Sequence, residues 1–392
     1  MPGKQSSTDV FIVAARRTPV GAFQGALKSK TAPELGAHAV KAAIADAAIP
    51  PDAVNEVLLG NVVSAGAKQA PARQAMRIAG LPDACGATTV NKVCGSGMKA
   101  TMLAADLIRA GSAGIVIAGG MESMTNAPYL LAKARGGLRL GHGEVKDAMF
   151  LDGLEDADTG RAMGLFAQDT ADAHQLTREE MDAWAASSVR RALAAMDGGV
   201  LAGEIAPIEC DGTTVSEDEP PRRARLDRIP TLKPAFKPGG TITAANSSSI
   251  SDGASALVVA GGSRIADGVT PLARIAGHAT HSQAPAEFTT APAGAIRKLL
   301  DRLGWQISDV DLFEINEAFA MVTLLAVRDL GLDPARVNIY GGACAQGHPI
   351  GSTGSRLIVT LTHALARQRA RRGIAALCIG GGEATAVALE RV

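Results

Sequence analysis

Four short stretches carry side chains suited to covalent chemistry. In NKVCGSGMKA, residues 91–100, Cys94 stands just before Gly95, Ser96 and Gly97 and a helix-like apolar run. The amides and dipole at the start of that helix favour an anion, so they are expected to lower the thiol pKa. Gly95 and Gly97 let backbone N–H groups converge on one point, as an oxyanion hole requires. Read from these ten residues alone, an inert buried cysteine is the alternative. His348 lies between Gly347 and Pro349 in GGACAQGHPIGSTGSR, a glycine-rich loop ahead of a second apolar helix. Cys378 ends a strand and enters a triple glycine in AALCIGGGEA, and Asn316 and Glu317 follow a strand in LFEINEAFA, where they could orient a water or a carbonyl. A cysteine and a histidine supplied by distant segments are the minimum for covalent acyl chemistry.

Elements must hold these residues together. Apolar strand-like runs recur as VFIVAA, EVLLGNVV (56–63), GIVIAGG (114–120), SALVVAGG (255–262), VDLFEINE (310–317) and AALCIGGG (375–382), with helical stretches such as APELGAHAVKAAIADAAI and APAGAIRKLLDRLGW between them. That alternation predicts βαβ units and largely parallel, buried sheets. The chain also echoes itself. Val90-Asn91, the turn around Cys94, an apolar helix and IVIAGG correspond to Val337-Asn338, the turn around His348, LIVTLTHALA and LCIGGG. Two copies of one α/β unit related by a pseudo-dyad would set Cys94 opposite His348. Residues 125–249 break the rhythm with polar, loop-rich sequence around one amphipathic helix, TREEMDAWAASSVRRALAAM. They read as an insertion, leaving 1–124 with 250–272 as one half and 273–392 as the other.

Composition narrows the class. The 392 residues exceed a usual single core, and 47 % hydrophobic against 20 % charged residues is ordinary for a globular protein. With aromatics at 3 %, the core must be aliphatic. Lys+Arg and Asp+Glu balance at 39 each, so no global field recruits nucleic acid or a membrane surface. No run of 18 apolar residues exists, and the amino terminus lacks a secretory core. Five scattered cysteines without CxxC or zinc spacing point to reduced cytoplasmic thiols and no metal. The basic strip holding Arg222, Arg223, Arg225, Arg228, Lys233 and Lys237 is either a solvated loop or a docking strip for a phosphate-bearing ligand.

Taken together, NKVCGSGMKA, GGMESM with NAPY, TAANSSSISDGA, NEAFA, GGACAQGHPIGSTGSR and CIGGG resemble the thiolase family, in the family's order and over essentially the whole chain. Within it the wording looks most like the acetyl-CoA acetyltransferase branch. The resemblance implies a layered α/β/α/β/α fold of two pseudo-symmetric βαβαβαββ halves with an inserted loop domain that binds coenzyme A. It implies ping-pong catalysis with acyl-CoA substrates, no permanently bound cofactor and no metal. Two acetyl-CoA would interconvert with acetoacetyl-CoA and CoA; a 3-ketoacyl-CoA thiolase of broader chain range is the alternative. By match, Cys94 is the acylated nucleophile, and His348 is its base and an oxyanion donor. Asn316 holds a catalytic water, and Cys378 is the second acid/base. The amides of Cys94 and Gly380 form a second oxyanion hole. Ser248 would meet the pantetheine, Phe236, Leu154 and Met163 would line its channel, and Arg222 would lie near the ADP phosphates. Ala318 and Phe319 join the substrate-binding set, and Phe288 shapes the acyl pocket. A homo-oligomer, dimer or tetramer, is implied as well. Ala162, Tyr340, Cys344, Gln346, Glu383 and Ala384 depart from the family's usual residues.

Overall fold

The computed structural model describes residues 9–265 and 269–392. Residues 1–8, part of the segment expected to carry no leader, and 266–268, inside the 250–272 piece, lie outside the described residues. Along the chain the principal elements begin with β1 (Val10–Arg17), α1 (Ala32–Ala47), β2 (Glu56–Gly60), α2 (Pro71–Ile78), β3 (Gly86–Val90), α3 (Ser96–Arg109) and β4 (Ile115–Ser123). The next stretch contains a hairpin of β5 (Tyr129–Leu131) and β6 (Val145–Asp147), then α4 (Met163–Ala173) and α5 (Arg178–Asp197). After it come β7 (Ser251–Gly261), β8 (Ala273–Ser282), α6 (Ala291–Leu303), β9 (Leu312–Ile315), α7 (Ala320–Leu330), α8 (Thr353–Gln368), β10 (Arg372–Ile379) and β11 (Glu383–Arg391).

The sheet runs β9-β10-β11-β8-β1-β7-β4-β2-β3. Its symmetry is explicit in the pairings. β1/β7 and β7/β4 are antiparallel while β4/β2 and β2/β3 are parallel. In the second half β8/β11 and β11/β10 are antiparallel and β10/β9 is parallel, with a parallel bridge from Phe313 to Val337 in place of β3. The first strand of each half carries a register shift, at Ile12/Ala14 and at Ile275/Gly277. Antiparallel pairing of Phe11 with Arg274 and Ile12 with Ala273 joins the halves.

The expectation of largely parallel sheets is therefore corrected to a mixed sheet. The reason lies in one turn. Gly381 and Gly382 adopt φ of +88° and +86°, which side chains resist, and this lets β10 fold straight back into β11 as a hairpin. In the first half the equivalent antiparallel pair is β4/β7, and the whole stretch from Met124 to Ile250 occupies the place of that turn.

Strand alternation fills the layers. Along β4, Val116 and Ala118 join the central core while Ile115 and Ile117 join the outer core under α1 and α2. Along β10, Ala375 and Leu377 point to the centre, and Ile374 and Ala376 to the outer core beneath α6. Helices α3 and α8 pack between the halves on strands of both. The result is the α/β/α/β/α layering, with a largely aliphatic core. Glycine sets the close approach of the two central helices. A Cβ on Gly97 would lie 2.5 Å from the Ser355 Oγ, and one on Gly354 would lie 2.5 Å from the Met98 nitrogen. Because the two helices touch at their amino ends, the turns that precede them meet.

The inserted segment is pinned to β1 by buried charge. Arg17 donates to Glu204 and Asp218, each at 2.6 Å, and Thr360 of α8 also donates to Glu204. Both α1 and α5 begin with a capping box, Thr31/Glu34 and Thr177/Glu180. Among the described residues no helix is long and apolar enough to cross a membrane.

Candidate active site

Between β3 and α3 the chain turns through Asn91 to Gly95. Val93 sits at φ +46°, an uncommon conformation for a β-branched residue, which costs about 1–3 kcal/mol. Local hydrogen bonds hold it there. Asn91 Oδ1 accepts from the Val93 amide at 3.0 Å; the Ser96 hydroxyl accepts from Lys92 N at 2.8 Å and donates to the Val93 carbonyl at 2.6 Å. A strand, a strained turn and a helix start thus present Cys94 at a sharp elbow, partly exposed. Burial pushes its thiol up to about 11, despite the amides of Gly380 and Cys94 on the sulfur, and the Glu122 carboxylate adds to the rise. This corrects the expected lowering at the helix start: the resting group is a thiol, because the dry surroundings outweigh the amides.

His348 is buried, with its backbone N–H on the Ser249 carbonyl at 3.0 Å. Its Nδ1 lies 2.6 Å from the Thr353 hydroxyl, and that hydroxyl donates its only proton to the Pro349 carbonyl at 3.0 Å. Nδ1 must therefore carry the ring proton, leaving Nε2 as a bare lone pair. Nε2 is buried without a protein partner. Burial, with the Arg356 guanidinium, brings the imidazole pKa down to about 3, so the ring is neutral and basic at Nε2. Asn316 follows β9 and ties its amide N–H to the Ala376 carbonyl at 3.0 Å, but both side-chain polar atoms are buried and lack protein partners. Such atoms cost about 1–3 kcal/mol each unless a ligand or water meets them. Cys378, at the end of β10, is fully buried, and its thiol is pushed well up by burial and by the nearby Cys94 sulfur. Two thiols, an unprotonated imidazole nitrogen and two amide donors are the parts of an acyl-transfer site. Among the described residues no cluster of three or more His, Cys, Asp or Glu is placed to ligate a metal.

Comparison with known proteins decides the family. The profile described as "Thiolase, N-terminal domain" matches residues 10–263, and "Thiolase, C-terminal domain" matches 269–391. The chain belongs to the thiolase family. It is 46 % identical over 390 residues to an acetyl-CoA acetyltransferase of Pseudomonas aeruginosa, covering 98 % of this chain and 99 % of that one. It is 47 % identical over 393 residues to an acetyl-CoA acetyltransferase of Schizosaccharomyces pombe, covering 98 % and 100 %. Among solved structures, the Acat5 thiolase of Ascaris suum in complex with coenzyme A superposes with a TM-score of 0.94 at 40 % identity, covering 98 % of this chain and all of that one. Human mitochondrial 3-ketoacyl-CoA thiolase in complex with CoA gives 0.95 at 38 % identity, covering 98 % of each.

The remaining residues expected to bind substrate fall into four groups. In this thiolase Met163, Phe236, Phe288, Ala318 and Phe319 pack in the apolar cluster that contains Cys378. Phe236 and Phe319 meet edge to face, with centroids 6.1 Å apart. Leu154 belongs to a neighbouring cluster with Cys94, Val93 and Ile350. Ser248 donates both its amide and its hydroxyl to the Ala318 carbonyl, at 2.9 and 3.0 Å. Arg222 is not drawn into this group. It pairs with Asp197 at 2.7 Å and Glu217 at 3.0 Å, and its neighbours Arg223, Arg225, Arg228 and Lys237 likewise pair with acidic side chains.

Glu317 is also reassigned. Rather than orienting a reactant, its buried carboxylate accepts from Trp184 Nε1, the Ser188 hydroxyl, Asn338 Nδ2 and the Cys344 amide, knitting α5 to the loop ahead of His348. The departures Tyr340 and Gln346 bond within this region, Gln346 Nε2 to the Tyr340 carbonyl at 3.3 Å. Two residues of the site escaped the sequence reading. Thr353 sets the imidazole tautomer. Glu122 accepts from the amides of Val62, Val63 and Gly351 and from Asn61, and burial pushes its carboxyl up to about 7. The motif GGMESM contained Glu122, but only its three-dimensional bonds reveal that it ties the first half to the His348 loop.

Proposed function

We propose that this thiolase is an acetyl-CoA C-acetyltransferase, condensing two acetyl-CoA to acetoacetyl-CoA and CoA and reversing that reaction. The observation that carries the proposal is the meeting of the Cys94 sulfur with the Gly380 amide and the buried Cys378 thiol, with His348 Nε2 buried as an unpartnered lone pair. In the first half-reaction the Cys94 sulfur attacks the thioester carbonyl as His348 Nε2 takes its proton. The departing CoA thiolate takes the Cys378 proton, leaving acetyl-Cys94, a Cys378 thiolate and an imidazolium. The acyl oxygen is held by the amides of Cys94 and Gly380. In the second half-reaction the Cys378 thiolate removes a proton from the methyl of a second acetyl-CoA. The enolate oxygen is stabilised by His348 Nε2–H and by a water on Asn316, and its carbon attacks acetyl-Cys94. Acetoacetyl-CoA is released as the Cys94 thiolate recovers the imidazolium proton, and the site returns to its starting charge.

The inserted segment 125–249 holds the CoA arm, with Met163, Phe236, Leu154 and Ser248 along the pantetheine. Arg222 would have to leave two carboxylates to reach a phosphate. Phe288 closes the acyl end at 3 % exposure, which supports a short acyl chain. A homo-oligomer is supported by two surfaces: among the described residues the outer edge of β3 pairs with no strand, and the 129–147 hairpin exposes Tyr129 at 69 % and Leu140 at 98 %. Five unbridged thiols support a cytoplasmic setting. Thiolysis of four-, six- and ten-carbon 3-ketoacyl-CoA tests the assignment. Turnover falling steeply beyond four carbons is expected, and equal turnover at ten carbons would instead establish a broad 3-ketoacyl-CoA thiolase. Cys94→Ala abolishes turnover; retained activity would remove the nucleophile assignment.

A further inference from the structure

The catalytic geometry depends on two turns that belong to different halves of the chain. One carries Cys94, the other Gly380, whose amide lies on the Cys94 sulfur. The turns are in tight apposition: a Cβ on Gly95 would lie 2.4 Å from the Ile379 Cδ1, and one on Gly380 would lie 3.6 Å from the Val93 Cγ1. Side chains also cross this junction. Lys92, two residues before the nucleophile, forms an ion pair with Glu383, the first residue of β11 just past the glycine turn. Glu383 additionally accepts from the Ser282 hydroxyl at 3.1 Å, at the end of β8. The pair is neither dry nor free in solvent, with side chains 21 % and 31 % exposed. Burial alone would raise the Glu383 carboxyl, but the Lys92 ammonium and the Ser282 hydroxyl outweigh it and hold it below the usual carboxylate range.

We propose that the Lys92–Glu383 pair is a positioning strap: it clamps the strained Cys94 elbow against the glycine turn and so fixes the distance between the Cys94 acyl group and the Gly380 amide. The inference rests on the acyl-transfer reading above and adds to it two residues that do not touch substrate. Val93 holds a left-handed conformation that relaxes unless its surroundings over-determine it. Lys92 is the neighbour through which β11 reaches that residue. Releasing the strap lets the elbow and the oxyanion donor drift apart, which slows acyl transfer while leaving the CoA channel intact.

The test is single-turnover acetylation of Cys94 by acetyl-CoA, followed by intact-protein mass, in Lys92→Met, Glu383→Gln, Lys92→Arg and the charge-exchanged Lys92→Glu/Glu383→Lys protein. Each single neutral variant is expected to acetylate about three- to tenfold more slowly, about 0.6–1.4 kcal/mol at 1.36 kcal/mol per tenfold, with KM for acetyl-CoA within about twofold of the parent. Lys92→Arg and the exchanged pair recover most of the rate. High salt slows the parent toward the neutral variants and leaves those variants unchanged. Parent-like acetylation rates in both neutral variants overturn the proposal. A lowered melting temperature without a slower rate also overturns it, because the pair would then serve stability alone. Cys94→Ala in the same assay separates this from failure of the underlying reading: an acetyl adduct persisting in that variant removes the nucleophile assignment, whatever the strap does.

Discussion

The resting protonation state of the site makes a prediction that can be worked through in numbers. Burial raises the Cys94 thiol from an ordinary 9.0 to about 11. At pH 7 that lowers the thiolate population about 100-fold, while the more basic thiolate is about 8-fold more nucleophilic, so alkylation is about 12-fold slower than for an exposed cysteine. Iodoacetamide labelling of Cys94, read by peptide mass in folded protein and in denaturant, measures that ratio directly. Steric shielding slows folded protein too, so the pH profile is the sharper readout. The rate should climb about tenfold per pH unit up to about pH 10 without a plateau. The imidazole gives no step between pH 5 and 8, because its pKa is about 3, and ionisation of the Glu122 carboxyl near 7 opposes the thiolate and only makes the climb shallower there. A plateau below pH 8 would show a thiolate–imidazolium pair at rest. It would refute the argument that burial outweighs the helix-start amides in the free enzyme.

Other perturbations have outcomes set by single contacts. Glu317→Ala leaves Trp184, Ser188, Asn338 and the Cys344 amide without their shared acceptor, and is expected to cost about 3–5 kcal/mol in urea unfolding. A change below about 1 kcal/mol would show that the carboxylate is not the hub of that network. Gly164→Ala places a Cβ 2.3–2.4 Å from three atoms of the Phe236 ring, so the ring must leave its present place, where it meets Phe319 edge to face. KM for acyl-CoA should rise severalfold with a smaller change in kcat, and an unchanged KM would take Phe236 out of the channel.

The sequence reading succeeded where local pattern decides structure. The apolar runs became the strands they promised, and the echo between Val90-Asn91 and Val337-Asn338 corresponds to the strand β3 and the Phe313–Val337 bridge at matching places in the two halves. Strand direction was not legible, because βαβ alternation looks the same until the hairpin at Gly381 and Gly382 reverses the last strand. Electrostatics were also misjudged from local sequence. A helix start next to Cys94 argued for a lowered pKa, but the desolvation that wins comes from Ile350, Met149 and other residues distant in sequence. Glu317 was misread for the same reason. Its four donors, Trp184, Ser188, Asn338 and Cys344, lie 21 to 133 residues away along the chain, and nothing in NEAFA announces them.

These corrections bear on how the site can work. A thiolate–imidazolium pair formed in advance would require a wet or strongly charged pocket, yet here the formal charge acting on Cys94 is the Glu122 carboxylate, which opposes a thiolate. Neutral thiols and a neutral imidazole fit a dry pocket at rest, and charge need appear only as an acyl-CoA arrives. In the proposed reaction the unpartnered atoms of His348 and Asn316 each have a use: His348 Nε2 would receive the Cys94 proton, and the Asn316 amide would order the water that meets the developing oxyanion. Because those atoms are buried and fixed, little reorganisation is needed when charge develops. The pseudo-dyad is what makes this affordable in structural terms, since the glycine contacts of Gly97 and Gly354 bring two helix starts, and the turns before them, to one point. Widening either contact would separate donor from nucleophile before it altered either residue.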